Sequence, residues 1–236
     1  MDGTDDALAR LRDALIASLR SARSAERELF ARLDPGERDA TLDGGWSAKD
    51  TQAHLSAWRR RQADRLAARR DGRTEPEAAG DDVDAINAGF HAERADWSWE
   101  RVVDDAEATT EALIGGIAAA DADTLHDPRL LGAILGDGAE HSLEHLGPIA
   151  ARTGAEDRVL QLAAEVEALV DDDGLPPRPR AFTRYNLACL HAKAGRLDRA
   201  RDLLRLALPA EAELRAHAAT DDDLAALRDE LPALGG

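Results

Sequence analysis

Apolar residues recur every three or four positions along most of this chain of 236 residues, and charged residues fill the positions between them. In the first predicted helix, for example, Leu8, Leu11, Leu15 and Leu19 follow this spacing. Because an α-helix repeats about every 3.6 residues, the spacing places apolar side chains on one face of each helix. No segment shows the two-residue alternation of a half-buried strand. The sequence therefore predicts an all-α protein.

The composition disfavours several classes of function. The formal net charge is −17, which disfavours binding to nucleic acid and to anionic membranes because both are negatively charged. Arginines cluster at positions 59–61, but acidic residues crowd the flanking segments. We expect neither an export signal nor a membrane span, and hence a soluble, cytoplasmic protein. The single cysteine, Cys189, rules out an internal disulfide framework.

The helical pattern changes character after Gly154, and we predict two domains, residues 1–153 and residues 154–236. Helices are predicted at about 5–33, 48–70, 82–95, 98–119 and 130–152 in the first domain, and at about 156–170, 181–194 and 197–208 in the second.

His141 and His145 form an HxxxH motif within the predicted helix 130–152. Residues four apart lie one above the other on a helix face, so two imidazoles at this spacing can bind one metal ion. Two buried, hydrogen-bonded histidines can have the same spacing without a metal, and the pair alone leaves both interpretations open. A further histidine, His54, lies one turn before Trp58 on the predicted helix 48–70. Its non-metal interpretation is a histidine at the edge of the core, bonded to a backbone carbonyl.

The predicted helix 130–152 carries two apolar stripes on roughly opposite sides. A surface helix normally has one such stripe, so both sides of this helix should be covered. The second covering surface is predicted to be the smaller domain, and a second copy of the chain is its rival. The stripes are Ile134, Gly138, His141, His145 and Ile149, and Leu135, Ala139, Leu143, Leu146 and Ala150.

Residues 186–200 (NLACLHAKAGRLDRA) place a Leu-Ala pair, a glycine and a later alanine at the spacing of a tetratricopeptide repeat. Small residues at these positions let two antiparallel helices approach closely. His191 stands where the repeat usually has an aromatic residue. One repeat is visible and such repeats need neighbours, so this helical pair should stack on helix 156–170 and on the first domain.

Three segments of the first domain together resemble the DinB-like superfamily, and within it the ClbS/DfsB-type branch. They follow the family's order and spacing and cover nearly all of residues 1–153. The resemblance implies an antiparallel four-helix bundle, followed here by the smaller tetratricopeptide-like module. It also implies a metal site formed by His54, His141 and His145. The matching segments are residues 45–50 (GWSAKD) running into 53–58 (AHLSAW), residues 82–87 (DVDAIN) and residues 140–145 (EHSLEH).

The family's activities imply an enzyme that assists attack of water or a low-molecular-weight thiol on a small electrophilic molecule. Such chemistry belongs to detoxification, self-resistance or secondary metabolism. Three neutral imidazoles leave a divalent ion with its full positive charge and at least one open coordination position. Zinc, nickel or iron held in this way can lower the pKa of bound water or ionise a thiol.

Carboxylates near the three histidines are candidates for the general base or for orienting a ligand. Glu144 lies beside the histidines, and Asp50 lies one turn before His54, although Asp50 also completes a helix-capping pattern that begins at Ser47. The candidate substrate contacts are Trp58, Asp84 and Asn87.

Three alternatives remain open at this stage. The first is a non-catalytic interaction module, in which a protein partner or a second copy of the chain binds through helix 130–152 or the tetratricopeptide-like pair. The second is a protein that sequesters a small molecule in the bundle pocket without turnover. The third is a metallopeptidase, because residues 141–145 also fit the inverted H-x-x-E-H zinc motif, but such enzymes are usually larger, mixed α/β proteins.

Overall fold

The computed structural model describes residues 3–42, 45–75, 82–171 and 175–235, and within these ranges the chain forms helices and no β-strand. The predicted all-α class is therefore confirmed. Within the same ranges, no helix combines the length and the apolarity that crossing a bilayer requires. The chain divides into two compact units, residues 1–162 and residues 163–236.

The first unit begins with three longer helices and several short ones, most of which start at a side-chain cap. Ser47, Asp82 and Ser98 each accept a hydrogen bond from a backbone N–H of the first turn that follows, a group with no partner inside its own helix. These helices are α1 (Gly3–Phe30), α2 (Pro35–Arg38), α3 (Ala48–Arg70), α4 (Val83–Arg94), α5 (Trp99–Ala119) and α6 (Ala122–Leu125).

The helices of the first unit pack through their apolar faces. On α1, Leu11, Leu15 and Leu19 are at most 2% exposed, as their four-residue spacing predicts. Helix α3 packs against α4 and α5, and α1 also packs against α5. Both α1 and α3 contact the segment that follows α6, which carries the HxxxH motif.

That segment is not the single helix predicted over residues 130–152. It consists of α7 (Pro128–Leu135), one π-helical turn (Gly136–Glu140), α8 (His141–His145) and α9 (Gly147–Thr153). A π-turn accommodates one extra residue in the helical path, and such turns occur often at functional sites. The second break follows from Pro148, which has no N–H to donate to a preceding turn. The histidine pair therefore occupies a short helix bounded by irregularities on both sides.

Both predicted apolar stripes of this segment are buried. Ile134 and Ile149 of the first stripe are each at most 1% exposed, and Leu135, Leu143 and Leu146 of the second are at most 5% exposed. Two sides of this segment are therefore covered, as the two stripes predict. Which surface covers the second stripe stays a prediction.

The second unit is also helical, and α10 (Glu156–Asp171) contains the division between the two units. Helix α11 packs against α12 and against a 3₁₀ turn, and Gly195 between the two helices has a φ of 71°, a conformation that glycine adopts without strain. The arrangement of a DinB-like bundle and a tetratricopeptide-like module stays a prediction. The remaining elements are α11 (Pro177–Lys193), α12 (Leu197–Ala207), α13 (Ala212–Ala218), the 3₁₀ turn (Asp222–Leu227) and α14 (Leu231–Leu234).

The close approach of the π-turn to α1 can be tested at Gly138. A Cβ atom at this position would lie 2.9 Å from Cδ2 of the buried Leu19, so we expect Gly138→Ala to destabilise the protein by about 1–3 kcal/mol. Gly132 in α7 has no atom within 4 Å of the same added Cβ. Gly132→Ala should therefore stabilise by roughly 0.5–1 kcal/mol through helix propensity. Chemical denaturation measures both; equal stabilisation by the two variants would contradict the close approach.

Candidate metal centre

Three histidines from two helices meet in the first unit. His54 comes from the second turn of α3, and His141 and His145 are the two ends of α8. One ring nitrogen from each histidine lies within 4.8 Å of the others. The Nε2 atoms of His54 and His141 are 2.9 Å apart. The ring centroids are 4.6 Å, 4.9 Å and 4.8 Å apart for the pairs 54–141, 54–145 and 141–145.

This geometry fits the ligand set of a metal ion. Two nitrogens bound to one ion at about 2.0–2.1 Å lie roughly 3 Å from each other, which is the separation of the His54 and His141 Nε2 atoms. The same separation also fits a hydrogen bond between one protonated and one unprotonated nitrogen. The Nδ1 atom of His141 is buried and has no hydrogen-bond partner. The protein therefore leaves one hydrogen-bonding atom of the His141 ring without a partner.

The environment keeps at least two of the rings in the neutral, ligating form. Burial, followed by the neighbouring His145, lowers the pKa of His54 to about 3. Burial also holds the pKa of His141 well below its usual range, and the positive charges of His54, His145 and Arg59 act in the same direction. Because a metal competes with protons for imidazole nitrogen, a lowered pKa removes that competition near neutral pH.

Aromatic side chains surround the histidines. The Trp46 ring lies 4.5 Å from the His54 ring, edge to face, and stacks on the His145 ring at 5.9 Å with an angle of 13°. Trp58 lies 6.4 Å from His54 and 6.1 Å from His141, between centroids. Trp58 is 7% exposed and Trp46 is partly buried, so the two indoles shield the histidine cluster from part of the solvent, which strengthens electrostatic interactions inside it.

Directly behind the histidines, a buried ion pair links three helical segments. Arg59 of α3 and Glu26 of α1 are both 0% exposed, and the two side chains form a two-pronged salt bridge. The Ser142 hydroxyl donates to Glu26 Oε1 at 2.7 Å and accepts from Arg59 Nη2 at 2.8 Å. Arg59 also donates to the carbonyl of Gly138 at 3.3 Å. The residue next to His141 is therefore fixed to α1 and α3 by charged hydrogen bonds.

The network extends to a second arginine. Arg23 donates to Glu26 at 3.0 Å, to Gln52 at 2.8 Å and to Glu107 of α5 at 2.9 Å. Burial alone would raise the pKa of Glu26, but the charges of Arg59 and Arg23 and the hydrogen bonds from Arg59 and Ser142 lower it to about 2. Glu26 thus stays ionised, and the charge pair holds the helices around the histidines in one arrangement.

The other predicted site residues occupy different places. Asp50 caps α3 as expected, since its backbone N–H donates to Ser47 Oγ at 3.1 Å and its Oδ2 accepts from the Ser47 N–H at 3.0 Å. Its Oδ1 lies 3.4 Å from His91 Nε2. Glu144 is exposed to solvent, on the turn between the two histidines. Neither carboxylate has a contact with the ring nitrogens among those found for the described residues.

The three residues predicted to contact substrate are also separated. Trp58 is beside the histidines, and its Nε1–H donates to Asn87 Oδ1 at 3.0 Å. Asn87 therefore orients the indole from α4. Asp84, one turn earlier on α4, is exposed, and it is not among the residues that line the cleft beside His54.

The sequence patterns do not single out several residues of the centre. Trp46 falls only within the motif that opens α3, and Arg59 falls within the arginine cluster at positions 59–61, although it is completely buried. The helical repeat does predict that Arg59 is buried, because Arg59 lies on the same helix face as the apolar residues Leu55 and Leu66. Glu26 lies among buried apolar positions of α1 at similar spacing. Charged residues that the helical repeat places among buried apolar residues indicate a buried ion pair.

A further carboxyl, Asp137, belongs to the π-turn that precedes His141. Burial raises its pKa to about 7, despite the hydrogen bond from Gln62 and the positive charges of Arg65 and Arg61. The half-buried side chain is therefore poised to exchange a proton near neutral pH.

Comparison of the chain with protein-family models, with characterised proteins and with solved structures finds no match. The resemblance to the DinB-like superfamily therefore stays a prediction that rests on the sequence motifs. The geometry of the histidines is independent of that resemblance. On geometry alone, His54, His141 and His145 form a group that could hold a metal ion.

The buried ion pair can be tested at adjacent arginines. Arg59→Met keeps much of the side-chain volume but leaves Glu26 buried without its main partner, and we expect it to destabilise the protein by about 3–5 kcal/mol. Arg60 forms an ion pair with Asp105, but its side chain is 41% exposed. Arg60→Met should therefore cost less than about 1 kcal/mol.

The ion pair also predicts a pH dependence. The folded-state pKa of Glu26 is about 2, against the usual 4.5, so its stabilising contribution is present above pH 4.5 and is lost as the pH falls towards 2. Denaturation curves of the wild type and of Glu26→Gln across this range measure the effect. Parallel pH profiles for the two proteins would argue against an ionised Glu26.

Proposed function

We propose that His54, His141 and His145 bind one divalent metal ion, and that the centre promotes attack of a low-molecular-weight thiol on a small electrophilic molecule. The observation that supports the metal is the convergence of three ring nitrogens within 4.8 Å at a place where at least two of the rings are kept neutral. Three nitrogen ligands leave at least one coordination position open, which is the arrangement of a catalytic rather than a structural site. Zinc, nickel and iron all accept imidazole ligands.

The intrinsic acidity of a thiol favours it over water as the nucleophile. The two carboxylates predicted to act as a base do not assist a bound water, because Glu144 is exposed and Asp50 is engaged in capping α3. A free thiol has a pKa of about 8.5, so a bound divalent ion can ionise it without help from a protein base. The residues of the chain then act mainly by placement: the histidines hold the ion, and the indoles of Trp46 and Trp58 restrict the access of water.

Metal binding is the first step to test. A metal that binds only the folded state should stabilise it by about 4 kcal/mol at a thousandfold excess over the dissociation constant. We expect zinc to raise the melting temperature of the untagged protein, and expect alanine at His54, His141 or His145 to remove most of this increment. A second alanine should add little, because the three ligands act as one unit.

The matched control for these variants is His126→Ala. His126 is exposed after α6 and has no place in the histidine cluster, so this variant should keep the full response to zinc. Histidines that serve only packing would behave differently. Each substitution would then lower the melting temperature by itself, and a chelator would leave the melting curve of the wild type unchanged.

Turnover is the second step. We expect the zinc-loaded protein to convert cysteine and styrene oxide to the thioether, measured by mass spectrometry. The sulfur forms a bond to an epoxide carbon, the C–O bond breaks, and the alkoxide takes up the proton released by the thiol. Alanine at His141 should reduce the rate to that of the uncatalysed reaction. Formation of the diol without thiol would indicate hydrolysis, and stoichiometric binding without product would indicate sequestration.

A further inference from the structure

The two ring nitrogens of His141 have different surroundings. Its Nε2 atom lies 2.9 Å from Nε2 of His54, on the side where the proposed metal ion is held. Its Nδ1 atom is buried and has no hydrogen-bond partner. When Nε2 binds a metal, the neutral ring carries its proton on Nδ1, because one imidazole nitrogen does not bind a metal and a proton together. The proposed metal centre therefore needs a hydrogen-bond acceptor next to Nδ1 of His141.

Asp137 is the carboxylate that the helical path places next to His141. It belongs to the π-turn, four residues before the histidine, and residues at this spacing share a helix face. Side chains of a helix lean towards its N-terminus, which directs the His141 ring back over the turn that contains Asp137. Both side chains face α3, since Asp137 accepts a hydrogen bond from Gln62 and His141 contacts His54. The carboxyl group and the His141 ring therefore lie on the same side of the segment.

The carboxyl group of Asp137 lacks a full set of partners in its turn. Its Oδ2 atom accepts from Gln62, and among the described residues no donor is found for its Oδ1 atom. Burial raises its pKa from 3.8 to about 7, because this hydrogen bond and the charges of Arg65 and Arg61 offset only part of the cost of desolvation. The pKa is higher in the folded state, so ionisation of Asp137 lowers the stability as the pH rises from 3.8 towards 7, and the whole cost is present above pH 7. Buried groups of this kind cluster at functional sites.

The other carboxylates near the histidines do not suit this role. Glu144 is exposed, and Asp50 is engaged in capping α3. Glu140 is buried and directly precedes His141, but adjacent residues of a helix do not face each other. Asp137 is also not a ligand itself, since the group of ligand atoms within 4.8 Å of one another consists of the three histidines. Its place is behind one ligand.

We propose that Asp137 accepts a hydrogen bond from Nδ1–H of His141 when a metal ion is bound to Nε2, and that it orients this ligand. The buried N–H then gains its acceptor, and the carboxylate gains the donor that it lacks. A carboxylate in this position also makes the ligating nitrogen more basic. Asp137 is a positioning residue, since it acts on the metal through His141. The inference rests on the proposed metal centre and extends it to the residue that fixes one of its ligands.

The test measures the zinc dissociation constant of the full-length, untagged protein by competition with a chromophoric chelator, at a pH above the Asp137 pKa of about 7. We expect Asp137→Ala to weaken zinc binding about 10–100-fold, the usual effect of removing such a partner. Asp137→Asn keeps a neutral acceptor oxygen and should recover part of the affinity. In the metal-free protein, Asp137→Asn should leave the melting temperature unchanged or raise it, because it removes a poorly compensated buried charge.

A second measurement reports the hydrogen bond itself. In zinc-loaded protein with isotopically labelled histidine, NMR should show the Nδ1–H proton of His141 as a slowly exchanging signal. Asp137→Ala should remove the protection of this proton, because the N–H loses its acceptor.

Asp105→Ala is the matched control. The Asp105 side chain is 12% exposed, it has an ion pair with Arg60, and its Oδ2 atom is buried without a partner, but it belongs to α5. Its loss should leave zinc affinity and the His141 signal unchanged. Unchanged zinc affinity in both Asp137 variants would overturn the inference and leave the metal centre intact. A lowered melting temperature of metal-free Asp137→Asn would also overturn it, since it would show a structural role. A wild type that binds no zinc would refute the metal centre, and the inference with it.

Discussion

The buried salt bridge between Arg59 and Glu26 is the interaction on which the rest of the first unit depends. Both side chains are removed from water. The attraction between two buried charges offsets the free energy of desolvating them only where the geometry is good and further hydrogen bonds are formed. Ser142 and the carbonyl of Gly138 supply those further bonds. Three helical segments are thereby held in a single relative position, because sliding any one of them would leave a buried charge without a partner.

This constraint explains how a short and irregular helix can present two histidines in a defined direction. Helix α8 is only His141–His145, with a π-turn before it and Pro148 after it, so its own backbone hydrogen bonds do little to orient it. Ser142 anchors it from the inside through Glu26 and Arg59. The same contacts place a positive charge near His141, which, after burial and the other histidines, helps to keep that ring neutral. Orientation and electrostatics of the site thus have a common origin.

The amino-acid sequence by itself determined the all-α class, the approximate helix positions, the cap formed by Ser47 and Asp50, and the pairing of His141 with His145, because these depend on periodicity and on contacts between residues close in the chain. It also singled out His54, through a family resemblance and not through any local pattern. Only the tertiary structure decided that His54 lies against the pair, that Arg59 is buried, and that Glu144 points to solvent. The π-turn within the predicted helix 130–152 also depends on the tertiary structure, since such a turn has no strong sequence pattern and depends on how the segment fits against α1 and α3. The second break, at Pro148, has a local cause in the sequence. Contacts between residues distant in sequence form the buried ion pair of Arg59 and Glu26, and they place Trp46 and Trp58 beside the histidines. No spacing rule within one segment contains that information.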